Sequence, residues 1–551
     1  MLRGLPVALS ITALFAGLAG AAEPADRIAD GPILPRGLTE AERAYIAENP
    51  IVAQDLRAIP EGTIRCVAEY DRMEGIMFAY EGTSSWTTII NQMVRDITTI
   101  GNAKAFVYVD STSERNTATS SIASFGADMS KVEFIVKTTD SIWMRDYGPR
   151  YIYKGVNPDG TGGVRAIVDH TYNRPRPNDN TVPTDFANRK SQDRHLIPLV
   201  HGGGNYHLES GTTTPGGFGH STRLIVNENP GLSESQIIQH WRDYQNLETT
   251  LYTPYPTFVD STQHIDMWMI MIDDNTVMIS EWVNEPTASW AITSNNAANY
   301  FAGRGFNVIR VPAVRSGGTH YTFTNAVICN DLVLIPTYTN STASVHNATA
   351  LAAWQAACPD KTISQINCQA LVTAAGVMHC IVMHVPENFN GESPTVWTTS
   401  YNTPTTVDPG DLELITWMVD DDIGATTVDI LLSTDGGASF PTTIATGVNA
   451  STGGYAWSVP DVGTSDGRIR IIASDADTNT GFDDNDAPLT ITGTSPCPAD
   501  FTGDGSLDIF DVFAFLDAFN ANDPTADFTG DGSYDIFDVF AFLDEFNAGC
   551  P

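Results

Sequence analysis

Six short motifs between residues 143 and 380 contain residue types that do chemistry in enzymes. A cysteine can act as a nucleophile, a histidine can move protons near neutral pH, carboxylates can hold cations, and arginines can hold anions. The motifs, in chain order, are W-x-R-D-Y-G-P with Trp143 and Asp146, N-R-P-R-P-N-D with Arg174 and Arg176, G-G-N at 203–205, H-x-D with His264 and Asp266, T-N with Asn325, and H-C with Cys380.

Each motif also has a purely structural interpretation. A lone cysteine among apolar residues is usually a small buried hydrophobe, and a His-x-Asp pair is usually a satisfied structural pair. Arg174 and Arg176 lie two residues apart, which places both on one side of an extended segment, where they could bind any anion. His379 and His384 have a separation that zinc could use, but no cysteine pair at ligand spacing accompanies them, so we predict no structural zinc site.

Taken together, the order and spacing of the motifs resemble the bacterial peptidylarginine deiminase / agmatine deiminase family of the pentein superfamily. The resemblance covers roughly residues 55–390. It implies an α/β fold, a five-bladed α/β propeller with its site at the axis. A catalytic domain followed by an immunoglobulin-like domain is similar to the secreted bacterial peptidylarginine deiminase.

The resemblance also implies a role for each motif residue. A thiolate would attack the guanidinium carbon, ammonia would leave, and water would hydrolyse the S-alkylthiouronium to citrulline with no metal or organic cofactor. Two departures from the family pattern are HLESG after G-G-N, which leaves Glu209 without a role, and the inserted YKGVNPDGTGG. The implied roles are nucleophile for Cys380, general acid/base for His264, guanidinium grip for Asp146 and Asp266, polar neighbour of the thiol for Asn325, channel wall for Trp143, and carboxylate clamp for Arg174 and Arg176.

Three functions remain open at this point. The first is deimination of arginine in peptides or proteins, especially at C-termini. The second is agmatine deimination to N-carbamoylputrescine; agmatine has no carboxylate, so the arginine pair favours the first. The third is a non-catalytic surface scaffold or adhesin anchored by its tail, which the intact Asp, His, Asp and Cys set disfavours.

The elements that must position these residues alternate between strands and helices over 61–390. Residues 22–60 form an N-terminal extension with a short polar helix around 39–48. We predict helices over 85–97 and 232–244, the second opening with Ser233 and Gln236 at capping-box spacing. The predicted strands are 105–110, 132–137, 165–170, 223–228 (RLIVNE), 276–282 and 306–314.

Composition excludes some classes of protein and locates a boundary near residue 395. With 42% hydrophobic and 17% charged residues, the 551-residue chain is neither disordered nor a coiled coil, and its net charge of -37 disfavours binding to nucleic acid. Residues 395–551 hold 27 acidic and 2 basic residues. Within them, 395–495 show short alternating strands and turn signals, which predict an immunoglobulin-like β-sandwich that acts as a spacer.

The tail, 497–551, is a tandem repeat with 12 acidic residues and no lysine or arginine. Each copy contains D-x-T-x-D-G-S-x-D-x-x-D, the oxygen-ligand spacing of an EF-hand loop with Asp at its last position. This pattern resembles a dockerin and predicts calcium binding and a cohesin-like or cell-surface partner. The predicted ligands are Asp500, Thr502, Asp504, Ser506, Asp508 and Asp511, then Asp527, Thr529, Asp531, Ser533, Asp535 and Asp538.

The N-terminus predicts export. Residues 1–21 combine a basic start, an apolar stretch and an A-x-A site, as in a signal peptide, and no later apolar run is long enough for a transmembrane helix. We therefore expect a secreted, periplasmic or cell-surface protein. Cys497 and Cys550 could clasp the tail, and Cys358 and Cys368 could pair locally, while Cys66 and Cys329 stay unassigned.

Overall fold

The computed structural model describes residues 33–54, 59–158, 160–210, 216–493, 498–503 and 506–549. The signal peptide predicted over 1–21, Asp504 and the predicted clasp between Cys497 and Cys550 lie outside these residues. Among the helices that are described, none combines the length and the apolar character that a membrane span requires.

The region 61–390 is mixed α/β. Its strands are β1 Ile64–Cys66, β2 Met73–Ala79, β3 Lys104–Val109, β4 Val132–Val136, β5 Arg150–Lys154, β6 Val164–Tyr172, β7 Asp193–His201, β8 His207–Leu208, β9 Gly217–Thr222, β10 Leu247–Tyr252, β11 Met269–Asp273, β12 Thr276–Trp282, β13 Asn307–Ser316, β14 Thr319–Thr322, β15 Val327–Cys329, β16 Leu332–Thr337, β17 Thr362–Asn367 and β18 Met383–Pro386. The α-helices up to residue 390 are α1 Glu40–Glu48, α2 Ser84–Thr99, α3 Thr112–Ser124, α4 Met144–Tyr147, α5 Val182–Lys190, α6 Leu224–Glu228, α7 Glu234–Gln245, α8 Ser289–Gly303, α9 Asn347–Ala357 and α10 Gln369–Val372.

In the described residues of this region, the strands form five small sheets built on one repeated plan. The sheet orders are β1-β5-β6-β7, β10-β9-β8, β11-β12-β13-β14, β15-β16-β17 and β18-β2-β3-β4. In each, an antiparallel pair is followed by a helix that crosses to a third, parallel strand, as a parallel connection requires. Because β18 completes the sheet of β2 and β3, the two ends of the region meet in one unit.

Local signals explain the long helices. In α2 the residues Trp86, Ile90, Met93 and Ile97 are buried on one face, as their spacing predicts. In α7, Ser233 is the N-cap and forms the predicted capping box with Gln236. The helix predicted around 39–48 is α1, and its Thr39 and Glu42 form a second capping box.

One predicted strand is wrong. RLIVNE, 223–228, is largely the short helix α6, and the strand of this unit is the preceding β9. The side-chain amide of Asn229 donates to the carbonyls of Ile225 and Val200, and its oxygen accepts from the Val200 amide. These bonds stabilise the helical turn, so tertiary contacts override the β-propensity of a short run.

Residues 395–493 form an all-β region with its own core. Its strands are β19 Thr395–Thr398, β20 Thr405–Val407, β21 Leu412–Asp420, β22 Thr427–Ser433, β23 Thr442–Asn449, β24 Gly454–Ser458, β25 Gly463–Ser474, β26 Thr480–Asp484 and β27 Leu489–Thr492. One sheet has the order β19-β21-β24, and the other β20-β27-β25-β22-β23 with β26 on β25. The side chain of Arg165 joins this region to the preceding one through paired bonds to Asp420 and a bond to Glu74.

The tail contains two helices, α11 Ile509–Ala521 and α12 Ile536–Ala548. Phe515 and Phe542, equivalent residues of the two repeats, stack with ring centroids 4.1 Å apart and are fully buried. The repeat therefore packs against itself, while Phe510 and Phe537 stay 63% exposed.

The predicted local pairing of Cys358 with Cys368 is wrong. Cys66, Cys329, Cys358, Cys368 and Cys380 are all free and buried. The extended strand β17 lies between Cys358 and Cys368 and is roughly 20 Å long at ~3.3 Å per residue. That length exceeds the reach of a disulfide.

Candidate active site

The candidate site lies where five turns meet. Each turn directly precedes the first strand of one repeated unit, so the common topology delivers one turn from every unit to one place. A closed ring of hydrogen bonds joins them: Gly204 N to Asp146 Oδ1 (3.2 Å), Ile265 N to Asn205 Oδ1 (3.3 Å), Asn325 Nδ2 to the Asp266 carbonyl (3.1 Å), His379 N to Asn325 Oδ1 (3.1 Å) and Arg145 Nε to the His379 carbonyl (3.3 Å).

The thiol of Cys380 lies inside this ring and is fully buried. Asn325 Nδ2 lies 3.1 Å from its Sγ, and the Val377 amide donates to it at 3.4 Å. Burial raises the pKa of Cys380 well above its ordinary value, the charge of Arg36 opposes that rise, and Asp266 and Asp146 add to it. A cation beside the sulfur is therefore what favours the thiolate here.

A guanidinium of the chain itself fills the centre. Arg36, from the N-terminal extension, donates from Nε and Nη2 to the two oxygens of Asp146, both at 2.9 Å. It donates from Nη1 and Nη2 to the two oxygens of Asp266, at 3.0 and 2.8 Å. Its Nη1 also lies 2.6 Å from the sulfur of Cys380. The two predicted carboxylates thus grip a planar cation with paired bonds, directly beside the thiol.

His264 completes the contacts of this guanidinium. Its Nδ1 lies 2.8 Å from Nη2 of Arg36 and 3.4 Å from Oδ1 of Asp146. Its other ring nitrogen, Nε2, is buried without a hydrogen-bond partner in the part of the chain that is described. The histidine therefore faces the same terminal nitrogen that both carboxylates hold.

The two carboxylates are ionised despite complete burial. Burial alone would raise the pKa of Asp146, but the charge of Arg36, followed by the neighbouring His264, lowers it well below the ordinary value. For Asp266, burial is likewise outweighed by Arg36 and by His379, so its pKa is also lowered. Buried carboxylates of this kind need a cation to stay charged.

The G-G-N motif makes room for the guanidinium. A side chain on Gly204 would place its Cβ 1.8 Å from Nη2 of Arg36 and 2.8 Å from a carboxylate oxygen of both Asp146 and Asp266. A glycine is required at this position because the backbone approaches a bound group closely.

The other predicted binding residues contact the backbone around Arg36. Trp143 is fully buried and donates from Nε1 to the Leu34 carbonyl at 2.8 Å. Arg174 donates to the Arg36 carbonyl at 3.3 Å, and Arg176 donates to the Pro35 carbonyl at 2.8 Å. A structural alternative is that the arginine pair holds its loop through Asp179, but the Asp179 carboxylate accepts hydrogen bonds from Asp140 and Ser141.

Two residues of the centre, Arg36 and Glu69, were not predicted from the sequence, and His379 was considered there only as a possible zinc ligand. Arg36 belongs to an extension with no motif, and no local signal distinguishes it. His379 bridges Asp266 (2.9 Å) and Glu69 (2.7 Å), and Glu69 also accepts from Arg145 at 2.7 Å. Its place beside Cys380 is the signal that could have assigned His379 to the site.

Among the described residues, one group of acid and histidine side chains is close enough to hold a metal ion: Glu69, His207 and His379, with ligand atoms within 4.8 Å of one another. Both ring nitrogens of His379 are already bonded to carboxylates, so its place is explained without a metal. His384 bonds to Arg145 and to the Ile328 carbonyl, so it does not pair with His379 as a ligand.

The two departures from the family pattern do not disturb the site. Glu209 forms a structural cluster with Arg304, at 2.7 and 3.0 Å, and His220, at 2.9 Å. The inserted YKGVNPDGTGG connects β5 with β6, and a side chain at Gly155 would meet Trp397 of the all-β region at 2.3 Å. The insertion therefore serves the junction between regions and leaves the arginine pair in place.

A buried thiol and a histidine around a guanidinium that two carboxylates hold define a guanidino-group deiminase. Comparisons with known proteins agree. The model of the Porphyromonas-type peptidyl-arginine deiminase family matches residues 65–386, more than half of the chain. The chain belongs to this family, within the pentein group of guanidino-group deiminases.

Individual relatives are distant. The agmatine deiminase of Stutzerimonas stutzeri is 25% identical over 173 residues, 29% of this chain and 44% of that protein. That of Ectopseudomonas mendocina is 23% identical over 306 residues, 47% and 78% of the two chains. The solved structure of agmatine deiminase from Enterococcus faecalis covers 59% of this chain and 96% of its own, with 18% identity and a TM-score of 0.50, which shows the shared fold.

Proposed function

We propose that this deiminase converts arginine in peptides or proteins to citrulline and ammonia. The observation that carries the proposal is the occupant of the site, which is an arginine within a polypeptide. Trp143, Arg174 and Arg176 hold the carbonyls on either side of its side chain, so the site accommodates a peptide backbone as well as a guanidinium. Arg176 also binds the Glu42 carboxylate at 2.8 Å, so it can hold a carboxylate, as a C-terminal arginine would require.

The geometry supports the following proposed steps. Asp146 and Asp266 fix the guanidinium against the sulfur, which removes the entropy of orientation. The thiol releases a proton as its sulfur attacks the central carbon, and His264, whose Nδ1 lies 2.8 Å from Nη2, delivers a proton to that nitrogen, which leaves as ammonia. Water then attacks the thiouronium carbon with His264 as base, the carbon–sulfur bond breaks, and the ureido product leaves.

The substrate takes part in activating the nucleophile. Burial raises the pKa of Cys380, and among its charged neighbours the guanidinium favours the thiolate while Asp266 and Asp146 oppose it. The thiolate is therefore expected to form when a cationic substrate is bound, which limits oxidation of the empty enzyme.

Agmatine is the second candidate substrate, because the relatives above are named agmatine deiminases. Incubation with benzoyl-arginine, an arginine-ended peptide, a peptide with internal arginine, and agmatine, followed by ureido detection, decides between the two. We expect the arginine substrates to have the higher kcat/KM. Turnover of agmatine alone would reassign the enzyme, and turnover of none would favour the non-catalytic scaffold.

The remaining parts of the chain complete the proposal. We infer that the five sheets are blades of an α/β propeller with the site at its axis, because the five turns converge there. We further propose that 1–21 directs export, that 395–495 is an immunoglobulin-like spacer, and that 497–551 is a dockerin-like module for a cohesin-like or cell-surface partner.

Calcium in the tail is also a proposal, and the residues present fit it. All side-chain donors of the second loop are oxygens, and the Asp527 carboxylate accepts the Asp531 and Gly532 amides, so the loop is already wrapped. Hard oxygen donors with no neighbouring lysine or arginine suit calcium. Calorimetric titration of the full chain with Ca²⁺ should show two binding events, and Asp538→Ala should remove one; an unchanged isotherm would contradict the site.

A further inference from the structure

The N-terminal strap, residues 33–49, enters the catalytic centre and closes it. Its extended part carries Arg36 inward, and its helix α1 brings Glu42 onto Arg176. Arg36 and Glu42 are 0% and 1% exposed, although they belong to a polar segment at the edge of the catalytic region. While Arg36 occupies the carboxylates, another guanidinium cannot bind there.

We propose that Arg36 is a substrate of its own chain, deiminated by Cys380 in cis, and that this modification opens the site to other guanidines. The inference rests on the proposed function, since it uses the same thiol. Every nitrogen of the Arg36 guanidinium has an acceptor in the centre, including the sulfur itself and the histidine. This is the arrangement that the reaction requires of any substrate.

The strap backbone is held as a bound peptide would be. The Arg36 amide donates to the Ala374 carbonyl at 3.1 Å, and the carbonyls of residues 34, 35 and 36 accept from Trp143, Arg176 and Arg174. Attachment to the same chain raises the effective concentration of this arginine to roughly the millimolar range. Arg36 therefore competes strongly with free substrates and is the first guanidinium that the enzyme meets.

The reaction is balanced without any further reagent. The Cys380 sulfur bonds to the guanidinium carbon, the bond from that carbon to Nη2 breaks, and ammonia leaves with the proton that the thiol released. Water then adds to the same carbon, the carbon–sulfur bond breaks, and the thiol is restored. Arginine and water become citrulline and ammonium, and residue 36 loses its positive charge.

Loss of that charge explains how the strap would leave. Asp146 and Asp266 are ionised because Arg36 lies between them, and a neutral ureido group cannot replace its charge. Two buried carboxylates without a cation are strongly unfavourable, so the centre exchanges the neutral residue for the next cationic substrate. The strap therefore blocks the site only until Cys380 has deiminated Arg36, and the neutral residue then leaves.

The test is peptide mass spectrometry of the purified full chain. In the wild type we expect complete citrulline at position 36, and in Cys380→Ser we expect unmodified arginine. Arg43, which lies exposed on the same strap, is the internal control and should stay arginine in both. Cys380→Ser mixed with active enzyme should keep Arg36 unmodified, because the buried side chain is accessible only to its own thiol; modification there would overturn the cis assignment.

Two strap variants separate this proposal from the proposed function. Arg36→Gln carries a neutral amide and should act on benzoyl-arginine or agmatine from the first turnover. Glu42→Gln weakens the ion pair by which Arg176 holds the strap. This variant replaces Arg36→Gln in the test if Arg36→Gln does not fold. If either variant is active while Arg36 of the wild type stays arginine, the proposed reaction in cis is overturned, and the proposed deiminase function is retained. If both folded variants are inactive on every guanidine and Arg36 is unmodified, the proposed function fails as well.

Discussion

The catalytic centre and the tail both depend on clustered aspartates, but they keep them charged in different ways. Asp146 and Asp266 are buried, and cationic side chains keep their pKa low. In the tail, backbone amides of Asp535 and Thr529 lower the pKa of Asp538, and no lysine or arginine is present in 497–551. The catalytic centre supplies its own cations, whereas the tail supplies acids alone, and this difference is the reason for the calcium sites proposed there.

The largest effect is expected when the thiol of Cys380 is removed. Cys380→Ser should lower kcat by about four orders of magnitude or more, as losing a catalytic nucleophile does, because a hydroxyl ionises too weakly. Thermal unfolding followed by circular dichroism should show a retained fold. Cys329→Ser, at another free and fully buried cysteine of the same region, is the matched control and should keep its activity. Residual activity near wild type would place the nucleophile elsewhere.

Removing one carboxylate tests the grip on the guanidinium. Asp146→Asn should lower kcat/KM by an amount that corresponds to a loss of about 2–5 kcal/mol of transition-state stabilisation, because the bound cation loses one paired charge. The control Glu209→Gln makes the same chemical change in the Arg304 and His220 cluster and should affect stability without lowering kcat/KM. Equal losses in both variants would mean that Asp146 is merely structural.

The pH dependence of stability tests the carboxylate at the junction of the two larger regions. Burial would raise the pKa of Glu74, but Arg165, Lys190 and Lys104 lower it to about 2. Ionised Glu74 stabilises the folded state by at most about 3 kcal/mol. This contribution is present above the pKa of about 4.3 in the unfolded state, and it is lost as the pH falls toward the pKa of Glu74 in the folded state.

Glu74→Gln should therefore flatten the dependence of the free energy of unfolding on pH between about 4.5 and 2, measured by urea denaturation. Glu387→Gln, in a pair with Arg72 whose side chains are 38% and 70% exposed, is the control and should leave the profile unchanged. A profile unaffected by Glu74→Gln would show that the junction does not depend on this charge.

A smaller effect is expected from the arginine pair. Arg174→Ala or Arg176→Ala should penalise benzoyl-arginine by about 1.5–3 kcal/mol while hardly affecting benzoyl-arginine amide or agmatine. The ratio of kcat/KM for benzoyl-arginine and its amide measures this directly, with the exposed Arg189→Ala as control. An unchanged ratio would leave the pair as a holder of backbone carbonyls and remove the preference for a free C-terminus.

The smallest expected effect completes the comparison. Chelation of calcium should loosen the tail, seen as a loss of near-ultraviolet circular dichroism, and should leave kcat on small substrates unchanged. The reason is that the centre already holds its charges with side chains of its own. A chelator that stops a chain truncated after residue 493 would instead place an essential metal in the catalytic region, where Glu69, His207 and His379 would be the first residues to examine.

What the sequence determined by itself was local. The period of α2, the capping box of α7 and most strands were correct because each depends on neighbours within a few residues. The tail repeat was equally visible, since the predicted calcium ligands of each copy lie within one loop. The wrong strand at 223–228 and the wrong pairing of Cys358 with Cys368 mark the limit of such signals.

Only the tertiary structure decided how the site is filled. The motifs named Asp146, His264, Asp266, Asn325 and Cys380, but five separate turns had to converge before those side chains could share one cation. Arg36 reaches Cys380 across 344 positions of chain, from an extension with no periodic pattern. No local signal encodes that contact, because it arises from the charge and shape of a cavity that exists only when the whole region has folded.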